Sequence, residues 1–248
     1  MKRLGYLLLA LFALPSADAG EVQVAVAANF TGPMQVLATL FERDSGHQLK
    51  LSYGATGKFY AQIKNGAPFE VLLAADDQTP ARLLAEGSGV AGSNFIYAIG
   101  KLVLWSSDPQ RVDGSGEILK KDGFRHVAIA NPKTAPYGRA AIETMSKMGV
   151  AERLAPRLVQ GENIAQTHQF IATGAAELGF VAYSQVIKNG RIGAGSGWLI
   201  PPHFYSPIRQ EALLLARGKN NAAASELLAY LKSAKAQAVI ESFGYALP

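Results

Sequence analysis

The sequence predicts an α/β protein: two three-layer α/β lobes joined by two crossover segments. Three observations carry that reading. Short apolar, β-branched runs alternate with segments of helical periodicity, the pattern of a parallel sheet with helices packed on it. The alternation falls into two series of roughly 100 residues each, a usual domain size, with joins near 98–102 and 200–208. The chain has 248 residues, 49% of them hydrophobic, which is ample for two cores.

The elements follow in order. "EVQVAVAA" (21–28) reads as a strand. "PMQVLATLFERDSG" (33–46) reads as a helix with Met34, Leu37, Leu40 and Phe41 on one face and Gly46 past its end. "LKLSY" (49–53) is a strand, "KFYAQIKNG" (58–66) a helix and "FEVLLAA" (69–75) a buried strand. "TPARLLAEG" (79–87) is a helix with Pro80 at its start. In the second series, 96–107 is one long strand-rich stretch and 124–132 ends in a strand. Residues 138–149 form a helix, 157–161 a strand, 163–176 a helix, and 178–186 a strand running into a turn. "RIGAGSGW" (191–198) and "IPPHFYSP" (200–207) read as loop and crossover. A strand over 210–218 and helix over 221–244, broken near Ser233, complete the chain. The expected organisation is a signal peptide over 1–19, lobe one over 20–100 and 205–248, and lobe two over 101–204.

The amino terminus reads as an export signal. Lys2 and Arg3 precede an apolar run, "LGYLLLALFAL", too short to span a bilayer, and Ala17-Asp18-Ala19 offers a cleavage site. The mature chain is therefore expected in a bacterial periplasm, cut after about Ala19. No cysteine is present, which excludes disulfides and thiolate chemistry. The formal charge is +5, but the basic residues are scattered singly, so nucleic acid is not an expected partner.

Catalytic chemistry finds no support. The histidines at 47, 126, 168 and 203 lie far apart, and no G-x-S-x-G elbow occurs. Asp76-Asp77 are adjacent, so their side chains diverge; they read as turn and capping residues, or else as a domain-edge contact. "SYGATGKFYAQI" (52–63) has a glycine-rich turn and Lys58. It lacks the four-residue spacing and the Gly-Lys-Ser/Thr of a phosphate loop, so a nucleotide is excluded. A turn entering a helix can still hold an anion with its unpaired N–H groups, or it can be an ordinary turn capped by Thr56. The same motif recurs. Ala28-Asn29, Thr56-Gly57, "NPKTAPYGR" (131–139) and Glu162-Asn163-Ile164 each put a small polar group between a strand and a helix. Four such helix starts suit a small, multiply charged oxyanion held by neutral dipoles.

Five segments carry a resemblance: "VAVAANFTGPM", "LSYGATGKFYAQIKNGAPFEVLLAADDQTPARLLAEG", "IANPKTAPYGRAA", "GENIAQTHQFIATGAAELGFV" and "YLKSAKAQAVIESFGY". In order, and over nearly the whole mature chain, they resemble the periplasmic molybdate-binding proteins of ABC transporters. "GAPFEVLLAADD" resembles that family's "GAPADLFISAD" pattern. The resemblance implies a type II periplasmic-binding fold with a tetrahedral oxyanion, molybdate or tungstate, in the interlobe cleft. It implies ligand contacts at Asn29 and Thr56, with Ala28 as a backbone neighbour, and backbone N–H contacts at Tyr137 and Ile164. The family's further tyrosine is displaced: "GFVAYS" puts Ala182 at the aligned position and Tyr183 one later. Tyr183 and Tyr137 are both candidates for the hydroxyl contact. Asn29 is expected to offer its side-chain amide, and Lys58 to be solvated. The resemblance further implies no enzyme activity, no cofactor, no directly bound metal ion, and a monomer that docks on a membrane permease. A binder of sulfate or phosphate, or an exported hydrolase or lyase on the same scaffold, are the alternatives.

Overall fold

The computed structural model describes residues 19–248; residues 1–18 of the expected leader lie outside these. Strand β1 (Glu21–Ala27) buries Val22, Val24, Ala25 and Val26, because helices cover both faces of the sheet it runs through. A 3-10 turn (Ala28–Phe30) leads into α1 (Thr31–Ser45), which starts two residues before the expected Pro33. Pro33 sits in its first turn, where a missing N–H costs no helical bond. Gly46, at φ 78°, ends the helix in the left-handed conformation. Strand β2 (Gln48–Gly54), helix α2 (Thr56–Lys64), strand β3 (Val71–Leu73) and helix α3 (Gln78–Ala85) follow.

The stretch expected as one strand over 96–107 is two, β4 (Phe95–Gly100) and β5 (Leu102–Ser106), which lie in different sheets. Lys101 alone joins them, so this is the first crossover. Beyond it come β6 (Val127–Ala130), α4 (Pro136–Lys147), the short α5 (Ala151–Leu154), β7 (Leu158–Gly161) and α6 (Ile164–Ala172). The strand expected to run into a turn over 178–186 is β8 (Leu178–Ala182), and the turn is the short α7 (Tyr183–Val186). The segment read as a loop over 191–198 holds strand residues instead. A small hairpin of β9 (Ile187–Lys188) and β10 (Arg191–Ile192) precedes β11 (Ser196–Leu199), which pairs antiparallel with β5. The glycines there hid the strand from a reading by composition, since pairing partners lie far away in sequence. After the second crossover come β12 (Ile208–Leu214), α8 (Ala222–Leu231) and α9 (Ala234–Ser242). The break expected near Ser233 is real: its side chain accepts the Ala236 N–H at 3.2 Å and starts α9.

Two five-stranded sheets result, ordered β2-β1-β3-β12-β4 and β11-β5-β8-β6-β7. In each, parallel strands carry the helices and one strand from beyond a crossover runs antiparallel among them. β12 returns to the first sheet and pairs with both β3 and β4, so the first sheet is closed by chain that has already visited the second. Phe30, Met34, Leu37 and Phe41 pack the first core; Leu104, Phe180 and Met145 pack the second. Ala27, Ala28, Ala55 and Ala75, at the strand ends and turns of the first lobe, pack against Ala135 and Tyr137 of the second, so apolar contact continues across the seam.

The start of α4 lies tight on β6. A Cβ on Gly138 would stand 2.1 Å from the Ala130 carbonyl oxygen, and backbone cannot swing aside as a side chain can. Gly138→Ala is expected to destabilise the protein by about 1–3 kcal/mol, read as a lower urea midpoint at unchanged slope.

Candidate functional site

Four backbone turns meet where the lobes touch. The 3-10 turn follows β1 and α2 follows β2; across the seam, α4 follows β6 and α6 follows β7. Each stands past the carboxyl end of a parallel strand, where N–H groups have left the sheet ladder. Between them lies a cavity of about 10 Å³. It is lined by Ala27, Ala28, Asn29, Gly54, Ala55, Thr56, Ala75, Ala135, Pro136, Tyr137, Asn163 and Ile164. Every lining residue is uncharged.

Local hydrogen bonds decide which donors remain for a guest. In α2, Lys58 and Phe59 N–H donate to Ala55 O, and Gly57 N–H crosses the seam to Thr134 O at 2.9 Å, leaving Thr56 N–H. In α4, Pro136 has no N–H, and Gly138 and Arg139 N–H both donate to Ala135 O, leaving Tyr137 N–H. In α6, the Asn163 side chain accepts from Ala165 and Gln166 N–H, leaving Ile164 N–H. Asn29 N–H, in the 3-10 turn, likewise has no acceptor among the described residues. These four residues are at most 3% exposed, so bulk water does not satisfy them. Each buried, unpaired donor costs about 1–3 kcal/mol. A guest carrying several acceptor oxygens offsets that cost at every donor together.

Thr56 supplies one donor more. Its Oγ1 accepts the Ala75 N–H at 2.9 Å, which leaves its own proton for a guest. Thr56 is thus not the cap of α2; Ala55 holds that position and no side chain caps the helix. Gly57 serves the seam itself, for a Cβ there would stand 3.0 Å from Thr134 Cα.

Several expected contacts fall elsewhere. The Asn29 amide does not face the cavity as a donor: Nδ2 donates to Gln210 Oε1 at 2.7 Å and to Tyr245 Oη at 3.0 Å. Asn29 offers the cavity its backbone N–H. The Tyr137 phenol accepts from Gln210 Nε2 at 3.3 Å, so it too belongs to this inner network. Tyr183 is not a cavity residue: its hydroxyl donates to Gly190 O at 2.9 Å, and its ring packs with Val103, Trp105 and Val186. Lys58 is half exposed, as expected of a solvated lysine, and it also pairs with Glu162 across the seam. Ala28 lines the cavity through its backbone turn.

The network beneath the cavity escaped the sequence reading. Gln210, fully buried on β12, gathers Asn29, Tyr137 and the Tyr97 hydroxyl, the last at 3.0 Å. The Asn29 carbonyl accepts from Tyr245 Oη at 2.8 Å and from Ser184 Oγ of the other lobe at 2.9 Å. Asn29 and Tyr245 lie 216 residues apart in sequence, so no local pattern relates them. The one available signal was a glutamine in a strand whose later residues, Ala212, Leu213 and Leu214, are apolar. Burial, chiefly, lifts the Tyr97 and Tyr137 phenols well above their ordinary value near 10 and pushes Tyr245 up to about 12. The network is neutral at physiological pH.

Among the described residues, no cluster of three or more histidine, aspartate and glutamate side chains could hold a metal ion, and no helix is long and apolar enough to cross a membrane. A family profile described as bacterial extracellular solute-binding protein matches residues 22–246. The molybdate-binding protein ModA of Azotobacter vinelandii is 59% identical over 94% of this chain and 92% of its own. The chain belongs to the ModA family of these solute-binding proteins. ModA of Rhodobacter capsulatus is 54% identical over 94% of this chain and 90% of its own. The solved structure of the Azotobacter vinelandii periplasmic molybdate-binding protein superposes with a TM-score of 0.89, at 41% identity over 92% of this chain and 99% of that one. The ModA family fold thus accounts for both sheets and for the cavity between them.

The raised phenols fix a pH dependence. Tyr245 is more basic folded than unfolded, so its contribution is full below about pH 10 and is lost as pH rises toward about 12. The unfolding free energy is expected to fall over that window by up to about 3 kcal/mol for Tyr245 alone. Tyr245→Phe is expected to remove that share of the fall in urea titrations. A fall parallel to wild type would contradict the assignment.

Proposed function

We infer that this chain captures molybdate, or the isostructural tungstate, in the interlobe cavity as a monomer in the periplasm, and delivers it to a membrane ABC permease. The protein is a carrier and not an enzyme, as its ModA relatives are named for binding. The observation that carries the ligand reading is the donor set: N–H groups of Asn29, Thr56, Tyr137 and Ile164, with the Thr56 hydroxyl, on a cavity lined by no charged side chain.

All five groups donate. A fully deprotonated tetrahedral dianion presents only acceptors, so every contact is matched. A protonated oxyanion brings an O–H for which this set has no acceptor, and that mismatch disfavours it. Fixed dipoles at helix starts favour negative charge without a counter-ion. Donors come from both lobes, so the guest is fully ligated only when the lobes meet. Capture and closure are then one event, and opening at the permease releases the guest.

Thermal melting of the purified chain against a panel of oxyanions tests the reading. Molybdate and tungstate at about a hundred times their Kd are expected to raise the melting temperature by roughly 5–10 °C. Phosphate, which keeps a proton at neutral pH, is expected to leave it nearly unchanged, and sulfate, whose bonds to oxygen are shorter, to raise it less; equal shifts from all four would overturn the selectivity. Thr56→Ala is expected to weaken molybdate binding by about 1–3 kcal/mol in calorimetric titration, with the fold intact.

A further inference from the structure

A neutral cavity is ringed by charge. Lys58 of α2 pairs with Glu162, just ahead of α6, and Asp76, just ahead of α3, pairs with Arg139 of α4 at 2.8 Å. Each pair joins opposite lobes. Lys58 comes two residues after Thr56, Glu162 two before Ile164, and Arg139 two after Tyr137. Asp76 follows Ala75, whose N–H supports the Thr56 hydroxyl. All four charges therefore stand within two positions of the binding groups, yet none of them lines the cavity.

The placement of the two cations runs against helix electrostatics. Lys58 and Arg139 are cations in the first turns of α2 and α4, the positive ends of those helices, where a cation is locally unfavourable. Among the described residues each is matched only by an acid across the seam, so the unfavourable placement is relieved when the lobes close. Asp76 is held ready on its own lobe: Oδ1 accepts the Thr79 N–H at 3.0 Å while Oδ2 takes Arg139. Two cavities of about 250 and 200 Å³ flank the Asp76–Arg139 pair and share Asp76, Gln78 and Arg139 as walls. The pair stands like a post between two openings onto the seam.

We propose that these two interlobe ion pairs form a clasp that sets how long the bound oxyanion stays, with Arg139 as the main positioning residue. This rests on the reading of the cavity as the molybdate site. The clasp carries no net charge, so it does not alter the charge that the guest meets. It acts on the closed state alone, because opening separates both pairs. The two pairs are unequal. The Asp76 side chain is 11% exposed and Arg139 39%, whereas Lys58 and Glu162 are about half exposed, at 50% and 57%. Solvent screens the second pair more, so the first carries more of the closed-state lifetime.

The test is release of radiolabelled molybdate from the loaded protein into excess unlabelled molybdate. Arg139→Gln is expected to release about ten times faster and Glu162→Gln about three times faster, with Arg139→Lys in between. Lys58→Glu sets two acids face to face and is expected to speed release; adding Glu162→Lys is expected to restore the wild-type rate. Raising the salt is expected to speed wild-type release more than that of Arg139→Gln. Melting temperatures without molybdate are expected to match wild type. Should Arg139→Gln melt early, the half-exposed Lys58 and Glu162 variants decide alone. Wild-type release rates in Arg139→Gln and Glu162→Gln, or no recovery in the Lys58–Glu162 exchange, would overturn the clasp. A wild-type chain that retained no molybdate would overturn the ligand reading, and the clasp with it.

Discussion

The constraint on which the structure turns is that four backbone N–H groups are buried with no acceptor among the described residues. A folded protein ordinarily pairs such groups. Here each local device does the opposite of what would silence the donor. Asn163 caps the second and third N–H of α6 and leaves the first. Proline at the start of α4 removes one N–H and lets the next stand alone. The chain concentrates its unmet donors on one small space and leaves it to a guest to match them.

Preorganisation follows from the second layer of contacts. The Asn29 turn is held by its own side chain, by Gln210 and by Tyr245, so its N–H does not swing to find another partner. Ala75 holds the Thr56 hydroxyl by taking its acceptor side. Ser184 reaches from the second lobe to the Asn29 carbonyl, which ties the first lobe's binding turn to closure itself. A neutral network beneath a neutral cavity keeps the guest's charge the dominant one in the site, and the ion pairs stay at the rim.

Much of this was legible in the sequence, for a physical reason. Alternation of apolar strands and helices reports burial, and burial is local: the core faces of β1 and α1 were readable from Val22, Val24, Met34 and Leu37 alone. The binding turns were readable because strand, small residue and helix start are contiguous. Side-chain destinations were not. Asn29 looked like an amide for the guest, yet its partners come from β12 and the chain's end. Tyr183 sits one residue past the strand, which sends it to the far side toward Gly190. The glycine-rich stretch that includes β11 looked like a loop because the strand character of β11 comes from pairing with β5. For Asn29 and for β11, long-range pairing was the missing information.

The account's central claim is that convergent neutral donors, and not the nearby charges, hold the anion. A crystal structure grown with molybdate, with anomalous scattering collected at the molybdenum edge, tests it most directly. The account predicts one strong peak enclosed between Thr56, Tyr137, Ile164 and the Asn29 backbone, with guest oxygens within hydrogen-bond distance of those N–H groups and of the Thr56 hydroxyl. A peak seated instead on Lys58 or Arg139 at the rim, with the inner donors unmet, would contradict it.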